Sequence, residues 1–194
     1  MSLPAISLHL PDWLPKLIAR YQGPLPEVES RMRLVIEFSR QNVAQGTGGP
    51  FGAAVFDLHT NRLVGAGVNV VVASGLSIGH AEIVALSMAE QRLGTFDLGA
   101  TQPGRYELVT STEPCAMCLG AIPWSGIGHV VCGASSADAA QIGFDEGPRH
   151  PQWIKELEQR DISVQTNICR DEARQVLLDY AAGNGLIYNG RQGD

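Results

Sequence analysis

Lysine is the residue that this sequence most nearly lacks. Only Lys16 and Lys155 occur, the arginines are scattered, and acidic residues outnumber Lys plus Arg by 20 to 14. The formal net charge is −6 and the isoelectric point is about 5.3. Proteins that bind RNA or DNA do so through basic surfaces, because contacts with phosphates supply most of that affinity. We therefore expect no broad nucleic-acid-binding surface.

Long apolar runs are also absent. No stretch of about 18 apolar residues occurs, so we expect no membrane-spanning helix. Residues 1–15 show neither a basic start nor an apolar block before a small-residue cleavage site, which argues against a secretory signal. The chain has 194 residues, 44% of them hydrophobic. This length and composition predict one globular domain, and we expect it in the cytoplasm.

Cysteine is scarce, with four residues in the chain. Two of them, Cys115 and Cys118, form a C-x-x-C pair that directly follows Glu113-Pro114. A second motif, His80-Ala81-Glu82, lies upstream. One histidine and two cysteines can bind zinc and leave the fourth tetrahedral position open for water. The motifs therefore favour a metal site in a reducing compartment over two disulfides.

The spacing of these residues suits hydrolytic chemistry. Cys115 and Cys118 share a face if they lie on a helix, and a helix N-terminus favours thiolates. His80 is also expected to begin a helix. Glu82 need only reach the water, whose pKa a zinc ion lowers to about 7. We expect Glu82 to move protons between that water and a substrate nitrogen.

Other interpretations of the cysteine pair compete with catalysis. A C-x-x-C motif alone can be a redox pair or half of a structural zinc site. Cys132 or Cys169 could supply a fourth ligand and close the site, although either can equally be a small core residue. The ordered pair of motifs, each at a predicted helix start, favours catalytic zinc.

Hydrophobic periodicity and turn residues predict alternating helices and strands. The predicted helices cover residues 12–21, 27–45, 80–93, 115–124, 151–159 and 171–182. The predicted strands cover residues 51–57, 63–72, 106–111, 129–132 and 163–166. Pro123 is expected to end the fourth helix, and residues 135–148 are expected to be irregular. The alternation predicts a mostly parallel sheet, covered on both faces and opened by an antiparallel hairpin, in residues 27–194. Residues 1–26 are expected to be an N-terminal extension.

Five segments resemble the cytidine deaminase superfamily and, within it, the bacterial guanine deaminases. They are residues 48–53, Asn69 with the valine-rich run after it, and residues 80–82, 113–122 and 138–145. The resemblance covers about residues 27–160. The ordered H-x-E and P-C-x-x-C motifs are typical of zinc-dependent nucleobase deaminases. The segment Asp-Ala-Ala-x-x-Gly-Phe-Asp, which begins at Asp138, favours guanine over other bases.

The resemblance implies an α/β fold, a three-layer α/β/α sandwich with a five-stranded mixed sheet. It also implies one zinc ion per subunit and a homodimer whose C-terminal region can reach the neighbouring subunit. His80, Cys115 and Cys118 would bind the zinc, and Glu82 would be the proton shuttle. A second acidic residue of the family falls on Glu146, where relatives carry aspartate. The substrate would be contacted by Asn69, Phe51, Ala81, Asp145 and Trp124.

The implied reaction is the hydrolysis of guanine to xanthine and ammonia, with attack on ring carbon 2. The longer side chain of Glu146 can re-aim the acid, so amino-triazines are further candidate substrates. Two alternatives are a tRNA adenosine deaminase, which would have to bind a polyanion, and a deaminase of cytosine or its nucleosides. A zinc-stabilised binding protein without turnover is a third alternative. We expect a small nucleobase partner, and neither a membrane nor a nucleic acid.

Overall fold

The structure is a computed structural model that describes residues 5–100 and 102–191. Over these residues the chain forms eight helices and five strands. The helices are α1 Trp13–Ile18, α2 Val28–Ala44, α3 Val71–Ser74, α4 Ala81–Leu93, α5 Ala116–Ser125, α6 Ser136–Gln141, α7 Trp153–Glu158 and α8 Arg170–Ala182. The strands are β1 Gly52–Asp57, β2 Arg62–Val68, β3 Tyr106–Thr112, β4 His129–Ala134 and β5 Ser163–Gln165.

The five strands form one mixed sheet in the order β2-β1-β3-β4-β5. β1 pairs antiparallel with β2 and with β3, whereas β3, β4 and β5 pair in parallel. Parallel neighbours need a long crossover, and α5 supplies it between β3 and β4. Helices cover both faces of the sheet. The predicted three-layer α/β/α fold with a five-stranded mixed sheet is therefore confirmed.

Two apolar cores lie on opposite faces of the sheet. One packs α2 and α8 against the strands and includes Phe38 and Val109. The other packs α4, α5 and α7 and includes Ala85. Leu14 and Leu17 of α1 are buried in the first core. The predicted N-terminal extension thus contributes to the core of the domain, while the boundary after residue 26 stays a prediction.

The predicted strand 63–72 is wrong beyond Val68. There the side chain of Asn69 accepts a hydrogen bond from the N–H of Val71, and the chain turns into the short helix α3. The valine-rich run favours a strand by intrinsic propensity, but a local side-chain-to-backbone hydrogen bond offers the chain a turn instead.

Two further predictions about helices are corrected. Pro123 lies inside α5, which continues to Ser125 and ends at Gly126, a residue with φ of 75°. Glycine is favoured there because it adopts this left-handed conformation without a steric penalty. Residues 135–148 are not wholly irregular, because Ser135 and Asp138 form a capping box that begins α6.

Candidate metal centre and active site

Two helix N-termini bring the three predicted metal ligands together. His80 is the N-cap of α4, with an extended backbone at φ −72° and ψ 149°. Cys115 is the N-cap of α5 and follows β3 by a short turn through Pro114. Cys118 lies three residues further on, on the same face of α5 as Cys115, and is fully buried.

The three side chains fit a zinc ion. Nδ1 of His80 lies 3.4 Å from Sγ of Cys115 and 3.7 Å from Sγ of Cys118. A nitrogen and a sulfur bound to tetrahedral zinc are about 3.6 Å apart at the usual bond lengths. Of the residues that the structure describes, these three form the only cluster able to share one ion, with ligand atoms within 4.8 Å of one another. Cys132 and Cys169 lie outside that cluster, so neither closes the site as a fourth ligand.

The two cysteines share a proton. A hydrogen bond from the Cys118 thiol lowers the pKa of Cys115 to about 4, and His80 contributes in the same direction. The same hydrogen bond, together with burial, raises the pKa of Cys118 well above its usual range. Cys115 is therefore the more acidic of the two thiols. A metal ion bound to both sulfurs would displace the shared proton.

Glu82 lies in the first turn of α4 and is only 7% exposed. Burial raises the pKa of Glu82 to about 7, and the negative charge of Cys115 adds to this effect. A divalent cation at the three ligands would lower that pKa again. A role for Glu82 in proton transfer therefore depends on its position in the cavity, together with the metal ligands His80 and Cys115.

A cavity of about 300 Å³ opens at these residues. That volume is at the lower end of the range for small-molecule sites, about 300–1,000 Å³. Its apolar wall consists of Phe51, Phe144 and Tyr188. The rings of Phe51 and Phe144 have centroids 4.9 Å apart, and those of Phe144 and Tyr188 are 5.3 Å apart. The polar lining includes Asn69, Ser77, His80, Glu82, Thr112, Glu113, Cys115, Asp145, Glu146 and Asn189. An apolar wall facing several polar groups suits a flat heterocycle with a polar edge.

Asn69 is nearly inaccessible, at 1% exposure, yet it lines this cavity. Its backbone N–H donates to the carbonyl of Phe51 at 3.1 Å, and its Oδ1 accepts from the N–H of Val71 at 3.2 Å. The second of these bonds engages the oxygen of the side-chain amide. The amide nitrogen of Asn69 thus remains available to donate to a ligand.

Glu146 places a further carboxyl group in the cavity, besides those of Glu82, Glu113 and Asp145. The loop that carries it is tied to α5, because the N–H of Ala116 donates to the Glu146 carbonyl at 2.9 Å. Burial raises the pKa of Glu146 to about 8, and the negative charges of Cys115 and Glu82 add to the rise, whereas Arg149 opposes it. Two acidic groups in distinct surroundings can take distinct roles in one reaction.

Sequence reasoning missed a C-terminal segment that completes the cavity. Tyr188, Asn189 and Gly190 line it. The side chain of Asn189 accepts from the N–H of Asp145 and donates to the carbonyl of Gly143, each at 2.9 Å. The buried hydroxyl of Tyr188 has no hydrogen-bond partner among the described residues, which leaves it free for a bound molecule. Gly183 and Gly185 indicate that α8 ends and the chain turns, but they do not indicate which surface the following segment packs against.

Two of the predicted substrate contacts lie outside the cavity. Ala81 is fully buried and packs into the core beneath α4, because its place in the first turn directs the methyl group toward the sheet. Trp124 is 86% exposed and lies beside a separate groove between α5 and α7. Its position on α5 is about 240° around the helix from Cys118, so it faces away from the ligands. Contacts of Ala81 and Trp124 with the substrate stay predictions, whereas Phe51, Asn69 and Asp145 line the cavity.

Fold and ligand set together define a zinc-binding deaminase domain. Residues 26–134 match the family described as the cytidine and deoxycytidylate deaminase zinc-binding region. That match spans more than half of the chain and includes the candidate ligands and Glu82. The chain therefore belongs to this family, and the predicted superfamily and zinc cofactor are confirmed.

Within the family, the chain is similar to guanine deaminases. It is 34% identical over 134 residues to the guanine deaminase of Bacillus subtilis, which covers 69% of this chain and 81% of that protein. A solved guanine deaminase from Nitrosomonas europaea is 45% identical, with a TM-score of 0.85, and covers 93% of this chain and all of that one. NE0047 in complex with 2,6-diaminopurine is 47% identical, with a TM-score of 0.86, and covers 96% of this chain and 98% of that one. The uncovered 4% is shorter than residues 1–26, so the similarity extends into the predicted extension.

Proposed function

We propose that this protein is a zinc-dependent guanine deaminase, which converts guanine and water to xanthine and ammonia. The observation that carries the proposal is the single cavity in which a zinc-ligand set meets two carboxyl groups and a fixed amide. The similarity to guanine deaminases from two bacteria supports guanine as the base.

His80, Cys115 and Cys118 would hold the metal ion. Zinc bound there would act as a Lewis acid and lower the pKa of a water molecule in its open position to about 7. The buried thiolate environment suits zinc, because cysteine sulfur and histidine nitrogen are its preferred ligands.

Glu82 is the proton shuttle in the proposed reaction. It takes a proton from the attacking water and gives it to the ring nitrogen next to carbon 2, as the new carbon–oxygen bond forms. Glu146 gives a proton to the exocyclic amine, so that the carbon–nitrogen bond breaks and ammonia leaves. The new hydroxyl group on carbon 2 then gives its proton to Glu146, which restores that carboxyl group, while Glu82 is already back in its carboxylate form.

Asn69 and the aromatic wall orient the base. The free amide nitrogen of Asn69 donates to an acceptor on the purine edge, and Phe51 contacts the ring beside it. Asp145 holds the loop of Glu146 in place, since its Oδ1 accepts from the N–H of Gly147 at 2.8 Å. Holding reactants in a productive orientation is itself a large part of catalysis.

The negative net charge of the protein favours a free base over tRNA as the substrate. The net charge of −6 opposes binding of a polyanion.

None of the helices in residues 5–100 and 102–191 combines the length and apolar character needed to cross a membrane. A cytoplasmic location stays a prediction, with which the four free cysteines agree.

We also propose that the protein is a homodimer. Trp124 is 86% exposed on α5, Met117 on the same helix is 37% exposed, and Met88 on α4 is 39% exposed. Tryptophan and methionine are enriched in protein interfaces, and an indole side chain this exposed is costly in water. These helices also carry the metal ligands, so the proposed interface adjoins the active site.

A panel of substrates tests the proposed reaction. Ammonia release by the zinc-loaded protein would be measured with guanine, adenine, cytosine, their nucleosides, an amino-triazine and a tRNA anticodon stem. We expect guanine to give the highest kcat/KM and the tRNA stem to give no ammonia. Turnover of the amino-triazine would extend the substrate range to the further candidates. Ammonia from cytosine or the tRNA stem, with none from guanine, would refute guanine deamination.

A further inference from the structure

Asn69 is held by a chain of hydrogen bonds that begins at the N-terminal helix. Nε1–H of Trp13 in α1 donates to Oγ1 of Thr47 at 3.0 Å. That hydroxyl donates in turn to Oδ1 of Asn42 at 2.7 Å. Nδ2 of Asn42 then donates to the backbone carbonyl of Asn69 at 2.8 Å. The first two links join side chains, and the last joins the side chain of Asn42 to the backbone of Asn69.

Asn42 is the central member of this chain. It is fully buried on α2, and its Nδ2 also donates to the carbonyl of Gly49 at 2.9 Å. Because Thr47 donates to Oδ1, the amide must point its nitrogen at Asn69. Removing the Thr47 hydroxyl leaves a buried acceptor unpaired and removes the group that fixes the orientation of the amide.

The backbone at Gly48 packs closely against Asn42 and Asn69. A Cβ atom on Gly48 would lie 2.7 Å from Nδ2 of Asn42 and would overlap the carbonyl oxygen of Asn69. The loop can therefore approach Asn69 this closely only with glycine at position 48. Close packing and directed hydrogen bonds both converge on the backbone of Asn69.

We propose that Asn42 and Thr47 are positioning residues that hold Asn69 in place for the base, and that α1 belongs to the same unit through Trp13. This inference depends on the proposed function, in which Asn69 contacts the purine edge. None of the three lines the cavity, so they act through the backbone that Asn42 holds, at Asn69 and at Gly49. Their contribution is to ground-state and transition-state binding of the base equally, which changes KM more than kcat.

Thr47→Val is the direct test, because valine keeps the branched shape and removes the hydroxyl. We expect the KM for guanine to rise about three- to tenfold, while kcat stays within about twofold of wild type. Thr47→Ser keeps the hydroxyl and should restore the wild-type KM. Trp13→Phe, which removes the indole N–H together with the five-membered part of the ring, should change KM in the same direction by a smaller factor.

Thr95→Val is the matched control. It makes the same chemical change in the loop after α4, where the Thr95 hydroxyl bonds the backbone of Asp97. We expect Thr95→Val to lower the melting temperature without changing the KM for guanine. An unchanged KM in Thr47→Val, or an equal change in Thr47→Val and Thr95→Val, would overturn the positioning role.

Hydrogen exchange tests the link without any substrate. Backbone amides of residues 68–71 should exchange faster in Thr47→Val than in wild type, Thr47→Ser or Thr95→Val. If the wild-type protein releases no ammonia from guanine, the proposed function fails, and this exchange comparison still decides the inference. Equal exchange rates in all four proteins would show that Thr47 does not hold Asn69.

Discussion

Among the carboxyl groups that line the cavity, those of Glu82 and Glu146 come from distant parts of the chain. Glu82 is placed by the first turn of α4, and Glu146 by a loop whose carbonyl is bonded to the start of α5. Burial raises the pKa of both groups, to about 7 and about 8. The surroundings of the two acids differ, because the positive charge of Arg149 opposes the rise in the pKa of Glu146. Separate roles for them follow from these separate surroundings.

Replacing Glu146 by glutamine tests the second of these roles. Glu146→Gln keeps the shape of the side chain but cannot give a proton, so kcat for guanine should fall at least about 100-fold. The zinc content, measured by elemental analysis, should equal that of wild type because Glu146 is not one of the ligands. Wild-type turnover would remove Glu146 from the mechanism, and loss of zinc would contradict the ligand assignment.

Residues in short motifs were predictable from the sequence, and residues brought in by long-range packing were not. His80, Glu82, Cys115 and Cys118 lie within local spacings that a metal requires. Tyr188 reaches the cavity only because the chain turns back after α8, which no local pattern specifies. Trp124 lies outside the cavity for another reason, since a residue close in sequence to a ligand can face the opposite side of its helix.

At the scale of elements, most helices were predictable, and the two that were missed, α3 and α6, are short. α2 and α8 carry enough residues for apolar periodicity to appear, and their predicted bounds differ from the structure by one residue or so. α3 has four residues, which is too few for a periodic signal, whereas α6 has six, as many as the predicted helices α1 and α7. The capping box of Ser135 and Asp138 was the available signal for α6, with Asp in place of the more common Glu or Gln.

Asp138, the acidic member of the capping box of α6, also makes the stability of the protein depend on pH. Asp138 is 5% exposed and accepts two hydrogen bonds from Arg170, at 2.9 and 3.0 Å. The Arg170 guanidinium, and after it the backbone and hydroxyl of Ser135, hold the pKa of Asp138 well below its ordinary value of 3.8. A carboxyl group with a lowered folded-state pKa stabilises the protein above its unfolded-state value. This stabilisation is lost as the pH falls toward the folded-state pKa.

Asp138→Asn should therefore lower the free energy of unfolding at pH 7 by about 1–3 kcal/mol, because it removes charge-assisted hydrogen bonds. The difference from wild type should narrow as the pH falls below the ordinary value of 3.8. Denaturant unfolding across this range checks the prediction. Glu156→Gln is the control, since the Glu156–Arg160 pair is about half exposed and contributes little. A difference that stays constant with pH would contradict the assignment.

At the scale of the whole molecule, strand and helix alternation was enough to predict the layers but not the assembly. Apolar strands between helices predict a sheet covered on both faces, and the structure has one apolar core on each face. Contacts at the surface are harder to predict, because the sequence around an apolar residue does not indicate whether it lines a pocket or forms an interface. Trp124 was expected in the pocket and lies on the outside.

A single charge on α5 tests the proposed homodimer. Trp124→Glu should convert the protein from dimer to monomer, because burying an unpaired carboxylate in an interface is costly. Sedimentation velocity gives the mass of each form. Phe96→Glu is the matched control, since Phe96 is also 86% exposed but lies in the loop after α4. A monomeric wild type, or a dimer that survives Trp124→Glu, would disprove the interface.

The central claim is that Glu82 moves protons at a zinc site that deaminates guanine. The most direct measurement is xanthine formation from guanine by zinc-loaded wild type and Glu82→Gln, with zinc content and the circular dichroism spectrum of each recorded. We predict xanthine from wild type, and a rate at least about 100-fold lower from a folded, fully zinc-loaded Glu82→Gln. Equal rates from the two proteins, or no xanthine from zinc-loaded wild type, would contradict the claim.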